Sequence, residues 1–392
     1  MWIKRTYESF LTSKGSALSL FPVWLMLGPR QVGKSSLLRR VAGPDRMIIN
    51  LDDLETRTRA NRDPLLFARE LRWPVLLDEI QYAPTLLEVI KRQVDEGAPA
   101  GAFWLTGSQN FEVMRGVRES LAGRVAILNL LGLSDEELDT RSNIPAGVFD
   151  RIVATGFPKL VGVKDGAARD LYVSSYLQTY MERDIRELMG IQKRREFELF
   201  VKLCALRTGQ VVNFAELARD VGVSAVTAKE WVSLLEDSFL VRLVHPWHAN
   251  RNKRLVKSPK MYFLDAGLAA WLAGWRTPEQ ARQGPMSGAL LETHVFGQLW
   301  RHFRHRILEA EIHYWRTRDG QEVDFLVEAG GLVFPVEVKA GWPDARDLVR
   351  LDQIGSSQWQ PGTVLTMASG APSRISHEWT ARPVNDLTFL PG

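Results

Sequence analysis

Short apolar runs and amphipathic stretches alternate along the first third of the chain. PVWLML at 22–27, RMIINL at 46–51, PVLLDEI at 74–80 and AFWLTGS at 102–108 are nearly continuous in apolar residues. Between them, KSSLLRRVA at 34–42 and TLLEVIKRQVDEG at 85–97 carry apolar positions at the three-and-four spacing of a helix. This rhythm predicts a parallel α/β sheet with helices on its faces, because strands covered on both sides have no polar face to alternate. From 168 to 207 the pattern turns helical, through ARDLYVSSYLQTYMERDIRELM and then REFELFVKLCALR. FAELARDVGVSAVTAKEWVSLLEDSFLVRLV at 214–244 reads as helix, tight turn at Gly222, second helix and strand. Phe214, Leu217, Ala218 and Val221 share a helical face, and Ser224 or Thr227 is placed to cap the second helix. GWRTPEQARQGPMSG at 274–288 reads as a linker or loop, and a helix and several strands follow.

At 392 residues the chain is too long for one typical domain. The apolar fraction of 45% and charged fraction of 24% are those of a soluble globular protein. A net charge of +4 permits contact with nucleic acid without requiring it. The single cysteine, Cys204, excludes a disulfide framework within the chain and a cysteine zinc site, and fits a reducing cytoplasm. The N-terminal residues are too polar for a secretion signal. ALSLFPVWLML, interrupted by Ser19 and Pro22, falls short of the roughly 20 residues that span a bilayer. The expectation is a cytoplasmic protein with no membrane segment.

GPRQVGKSS at 28–36 matches the phosphate-binding pattern G-x-x-x-x-G-K-[ST] between a strand-like and a helix-like segment. Gly28 and Gly33 let the backbone curl so that its N–H groups face phosphate oxygens. Lys34 is expected at the β- and γ-phosphates of ATP, Ser35 and Ser36 at the nucleotide, and the Ser35 hydroxyl at Mg²⁺. In PVLLDEIQ, Asp78 is the expected second Mg²⁺ ligand and Glu79 the residue that polarises the attacking water. In FWLTGSQ at 103–109, Ser108, or Thr106 as the alternative, is placed to sense the γ-phosphate. Arg124, in ESLAGR, is a candidate arginine finger, supplied from a neighbouring subunit. Arg251, Lys253, Arg254, Lys257 and Lys260 form a basic run suited to phosphate backbones.

GQEVDFLVEAGGLVFPVEVKAG at 320–341 reads as a hairpin turning at Gly330-Gly331. That turn puts Asp324 opposite Glu337 and Glu322 opposite Lys339. Asp324, Glu337 and Lys339 then share one face. Two carboxylates in register repel, and a divalent cation between them removes the cost. Lys339 is placed to orient or deprotonate a water. Glu292, beside the apolar stripe Leu291, Val295, Leu299 and Phe303, is the expected third ligand, with Arg316 at a scissile phosphate and His294 packed or solvated.

The order of Asp324, Glu337 and Lys339 after a helix bearing Glu292 resembles the restriction-endonuclease-like superfamily with the motif PD-(D/E)xK, here with Val323 in place of the proline. Together, GPRQVGKSS, LLDEIQ, LTGSQ, SLAGR, GFPKL, YMERDI, YFLDAGL and EVDFLV…VEVKAG resemble a bacterial and archaeal group of AAA-type ATPases with an endonuclease-like C-terminal domain. The resemblance implies a multidomain α/β chain: an ATPase domain at 1–135, a helical lid or linker at 136–207, a winged-helix module at 208–275 and a nuclease-like α/β domain at 285–392. It implies ATP and Mg²⁺, with Mg²⁺ or Mn²⁺ at Glu292, Asp324 and Glu337 and Lys339 catalytic. It further implies DNA as partner and a homo-oligomeric ring, a hexamer, with the active site between subunits. The competing reading is an ATP-regulated DNA-binding switch on an inactive nuclease scaffold.

Overall fold

The computed structural model describes residues 2–13, 17–107, 114, 116–117, 119–139, 147–180, 193–248, 258–317, 319–354, 358–368 and 370–392. The chain divides into two compact units. The first comprises 1–133, 237–239 and 304–307, and the second comprises 134–236, 240–303 and 308–392.

In the first unit, β1 (Val23–Leu27), β2 (Met47–Asn50), β3 (Val75–Asp78), β4 (Phe103–Gly107) and β5 (Val125–Asn129) form a sheet in the order β2-β3-β4-β1-β5. All its pairings are parallel, as the apolar rhythm predicts. β3 and β4 are buried throughout, and β1 at all but Trp24. β2 departs from this. It is an edge strand, and Met47 and Ile48 are 37% and 42% exposed. Two helices, Leu54–Arg62 and Pro64–Glu70, follow β2; the first is mostly charged and polar, and the second is a short helix whose Leu65 and Leu66 are exposed, so neither shows an apolar stripe. They start because Asp53 and Asp63 accept the backbone N–H groups of Thr56 and Leu66. The core gathers Leu25, Leu77 and Leu105 with Leu86 and Ile90 of the helix Leu86–Asp95. The sequence-distant segments complete this unit. Tyr7 Oη donates to Arg304 O at 2.6 Å, and Leu131 N–H donates to His305 Nε2 at 3.2 Å. Phe239 packs on the core.

The second unit opens with helices, including Gly166–Tyr180 and Arg194–Leu206. β6 (Gln210–Val211), β7 (Val241–Val244) and β8 (Lys260–Phe263) form an antiparallel sheet ordered β6-β8-β7. The helices Phe214–Val221 and Ala225–Asp237 meet at Gly222, whose φ of +81° favours glycine. Ser224 Oγ accepts Thr227 N–H at the start of the second helix. After the helix Ser287–Arg304 come β9 (Ala310–Arg316), β10 (Glu322–Ala329), β11 (Leu332–Lys339), β12 (Gly362–Thr366), β13 (Ser373–Arg374) and β14 (Trp379–Pro383). They form a mixed sheet ordered β13-β14-β12-β11-β10-β9. The helix Ala345–Asp352 makes the crossover that the parallel β11–β12 pair requires. Gly330 and Gly331, at φ +59° and +79°, turn the β10–β11 hairpin. Among the described residues no helix is long and apolar enough to cross a membrane.

Candidate functional site

Gly28, Gln31 and Gly33 all have positive φ, so the loop after β1 curls sharply before the helix Lys34–Val41. A side chain at Gly28 would place Cβ 1.9 Å from Leu130 O. Lys34 is buried, and its Nζ donates to Gly28 O and Pro29 O at 2.8 Å each, folding the ammonium over the loop. Ser35 Oγ donates to Asp78 Oδ1 at 2.6 Å, and Ser36 follows exposed on the same helix. A hydroxyl and a carboxylate on adjacent elements are hard oxygen donors of the kind that suit Mg²⁺, so the residues fit that ion and a bound nucleotide.

Asp78 is held from three sides. Thr106 Oγ1 also donates to Oδ1 at 2.6 Å, and Arg39 Nη2 lies 3.3 Å from Oδ2. The Thr106 hydroxyl in turn accepts Glu79 N–H at 2.9 Å. Thr106 is fully buried between the two acidic residues, where it aligns them. Sequence reading placed it as an alternative sensor and missed this role, as it missed Arg39. Glu79 itself sits at φ +60°, a left-handed conformation unusual for a side chain larger than asparagine. Ser108 lies outside the described residues. Arg124 donates from Nε to Asp95 Oδ1 at 2.8 Å within the first unit.

The hairpin register from Phe325↔Val336 to Ala329↔Leu332 is the one the glycine turn predicts. The ladder stops there, which corrects the expected pairing of Glu322 with Lys339. Glu322 pairs with Arg316 on β9, and Lys339 pairs with Thr366 on β12. The β10–β9 pairing has a register shift at the same place, Val323–Leu326, so β10 is irregular where its ladder with β11 ends. Asp324 still faces Glu337. Its Oδ2 accepts Val338 N–H at 2.8 Å in place of a ladder bond. Desolvation, Glu337 and Glu292 together raise the Asp324 carboxyl well above the usual aspartate range. Glu337 is 3% exposed, and its Oε2 is buried without a hydrogen-bond partner. Burial pushes its carboxyl up, and Arg350 and Lys339 return only part of the shift. Arg350 binds Glu337 Oε1 directly, and Lys339 Nζ lies 3.5 Å from the same oxygen and 3.0 Å from Asp347. Desolvation works against the Lys339 charge, but Asp347 and Glu337 outweigh it, so its pKa is raised. Lys339 therefore stays a cation and is suited to orienting a water rather than deprotonating it.

Glu292 is not free beside this pair. Lys260 Nζ reaches it at 3.1 Å, and Tyr262 Oη donates to the same oxygen. Lys260 also holds Glu322 at 2.6 Å. Lys260 is thus 6% exposed inside the acidic cluster, which corrects its expected place in a basic DNA-facing run. Arg251, Lys253, Arg254 and Lys257 lie outside the described residues. Glu292, Asp324 and Glu337 do not bring their oxygens within 4.8 Å of one another as a set, whereas Glu311, His313 and Glu328 do so on the neighbouring strands. A single ion on Asp324 and Glu337 fits the structure better than three ready-made carboxylate ligands. The unpartnered Glu337 oxygen beside Asp324 is what makes that pair fit. Lys260, Tyr262, Arg350 and Asp347 escaped sequence reading because nothing local marks them as neighbours. His294 is buried and bonded to Asp135 Oδ2 at 3.0 Å, as a packed histidine.

The loop, Asp78 and the parallel sheet define a P-loop ATPase of the AAA type. The AAA domain family matches residues 21–138, and two domains of unknown function, DUF8612 and DUF4143, match 146–279 and 287–385. The chain is 32% identical over 333 residues to Uncharacterized protein Rv2008c of Mycobacterium tuberculosis, across 82% of this chain and 71% of the relative. Uncharacterized protein Mb2031c of Mycobacterium bovis matches to the same extent. The chain belongs to the family of these mycobacterial proteins. Among solved structures, a point variant of Thermotoga maritima RuvB shares 16% identity at a TM-score of 0.25, over 56% of this chain and 80% of that one. A score that low carries no argument. The two domains of unknown function bring no activity with them.

Proposed function

We propose that the chain couples ATP hydrolysis to the processing of DNA, with the Asp324–Glu337 cluster as a divalent-metal phosphodiesterase centre. The observation that carries the second half is two carboxylates forced together in a desolvated site, one with a buried oxygen that has no hydrogen-bond partner among the described residues, beside a lysine that stays charged. Such a pair is costly unless a cation neutralises it. In the ATPase half, Lys34 binds the phosphates, Ser35 and Asp78 hold Mg²⁺, and Glu79 takes a proton from the attacking water. The Mg²⁺ ion supplies charge neutralisation on the phosphates. In the second centre, Asp324 and Glu337 hold Mg²⁺ or Mn²⁺, which supplies Lewis acidity at the phosphodiester. Lys339 orients the water there, and Arg316, half-exposed at the end of β9, contacts the DNA backbone. The 208–275 stretch is read as a winged helix that binds DNA, and Arg124 as a finger acting in trans within a hexameric ring.

A second reading has its own support. Glu292 is already bound by Lys260 and Tyr262, and Glu337 by Arg350. That arrangement favours an ATP-regulated DNA-binding switch whose nuclease scaffold is inert. One experiment separates the two. Single-stranded, duplex and branched DNA are incubated with wild type, Lys34→Ala and Asp324→Ala, with and without ATP and Mg²⁺. Cleavage lost in Asp324→Ala, with ATP hydrolysis retained, supports a cutting centre. ATP-dependent binding without cleavage in any protein rejects it in favour of the switch.

A further inference from the structure

We propose that a cavity in the second unit binds a small organic anion, with a phosphate or carboxylate on two arginines and an apolar body against an aliphatic wall. The cavity has a volume of about 600 Å³, within the range typical of small-molecule sites. Four helices converge on it: Asp135–Asp139, Val148–Ala154, Gly166–Tyr180 and the start of Pro278–Gln283. Apart from Leu138, its lining falls within the 146–279 stretch matched by a domain of unknown function. None of its residues belongs to the phosphate loop or to the acidic cluster.

The lining pairs an aliphatic wall, Leu138, Leu160 and Val163, with three guanidinium groups. Arg151 is already neutralised by Asp135 at 3.5 Å and Asp139 at 2.5 Å. Among the described residues Arg169 has no carboxylate partner, and Arg276 has a single long one, Asp170 at 3.6 Å, beyond hydrogen-bond reach. Each guanidinium offers five N–H donors. Among the described residues, the Arg169 side chain donates one hydrogen bond, from Nη2 to Val163 O at 3.3 Å. The Arg276 side chain donates none. It stacks on Trp271 at 3.7 Å and lies 3.6 Å from Asp170, which itself accepts the Trp271 indole N–H. Stacking fixes the plane of the fork; Nη1 is buried toward Asp170, and with the side chain 36% exposed the remaining donors are left to an entrant. Planar forks held in place are suited to bidentate recognition of carboxylate or phosphate. The two carboxylates of the lining, Asp150 and Glu279, belong to exposed residues, where water screens them. The cavity is far larger than inorganic phosphate, and its aliphatic wall has nothing to offer a wholly polar ligand.

The test titrates the full-length protein with octyl phosphate and octanoate by calorimetry, against inorganic phosphate and octanol. Saturable one-to-one binding of either amphiphile, much weaker for both controls and unchanged by Lys34→Ala, is expected. Octyl phosphate and octanoate together distinguish a phosphate from a carboxylate ligand. Arg276→Gln and Arg169→Gln should each weaken binding about tenfold or more, as loss of a charge-assisted bond implies. Ala154→Leu, which narrows the cavity without touching either guanidinium, should block it independently. Thermal melts confirm that each variant is folded. No saturable binding at millimolar probe, or binding unmoved by the arginine variants and by Ala154→Leu, overturns the proposal.

Discussion

Lys260→Met tests the electrostatics of the acidic cluster. Methionine keeps most of the stem and removes the ammonium, so packing changes little. The side chains of Lys260, Glu292 and Glu322 are 7%, 18% and 24% exposed. Removing one partner of a buried pair costs about 3–5 kcal/mol because the other charge is left desolvated. Here two carboxylates lose a partner, but each keeps some water and another partner, the Tyr262 hydroxyl for Glu292 and the Arg316 charge at 3.7 Å for Glu322. The low end, about 3 kcal/mol, is therefore expected. In urea, with a slope of ~3 kcal/mol/M, the midpoint of the second unit should fall by about 1 M. The Lys260 ammonium is desolvated, but Glu292 and Glu322 outweigh this and raise its pKa. Its contribution is thus complete below the ordinary lysine value of about 10.4 and is lost only as pH rises through the higher folded value. The gap between wild type and variant should be constant from neutral pH to about pH 9.5. Mn²⁺ should restore part of the loss, since a ligand at ~100 times its Kd stabilises by about 2.7 kcal/mol. An unchanged midpoint refutes the electrostatic argument. A lowered midpoint that Mn²⁺ leaves untouched refutes the metal site alone.

Lys34→Ala should abolish ATP hydrolysis, measured by phosphate release, and lower the stability of the first unit by about 1–3 kcal/mol in calorimetry, since Gly28 O and Pro29 O lose a donor. Thr106→Val deprives Asp78 of a donor and Glu79 N–H of its acceptor, so a loss of about 1–3 kcal/mol in the first unit is expected, together with a lower kcat. Gly28→Ala should prevent soluble expression or nucleotide binding, because its Cβ has no room beside Leu130 O. Burial opposes ionisation of Asp135, but His294, Arg151 and Arg301 outweigh it and lower its pKa. Its stabilisation is therefore present above about pH 3.9 and fades as pH falls through the lower folded value. Asp135→Asn should cost about 3–5 kcal/mol at pH 7, with the gap closing in acid, as read by urea midpoints across pH.

Local features were legible in the sequence. The phosphate loop, the central strands and the glycine-turned hairpin depend on adjacent residues, and their apolar pattern or turn chemistry is written in a few positions. β2 misled because its apolar residues lie on a sheet edge rather than under a helix. The helices Leu54–Arg62 and Pro64–Glu70 showed no stripe, and their capping aspartates were the signal that was there to be used. Lys260 shows what a linear reading cannot supply. It ends a run of basic residues and looks solvated, yet its neighbours Glu292 and Glu322 come from other elements of the fold. Thr106 is a similar case, since a hydroxyl at a strand end looks the same whether it meets a ligand or a carboxylate.

The first unit closes only when Phe239, Arg304 and His305 join a sheet whose last strand ends at Asn129. Its completion during translation must therefore wait until residue 307 has left the ribosome, long after β5 has emerged. A stop codon near residue 133 would take the His305 acceptor from Leu131 N–H and the Arg304 carbonyl from Tyr7, which would keep Asn129, so a single cut there cannot release the nucleotide-binding half with all its contacts.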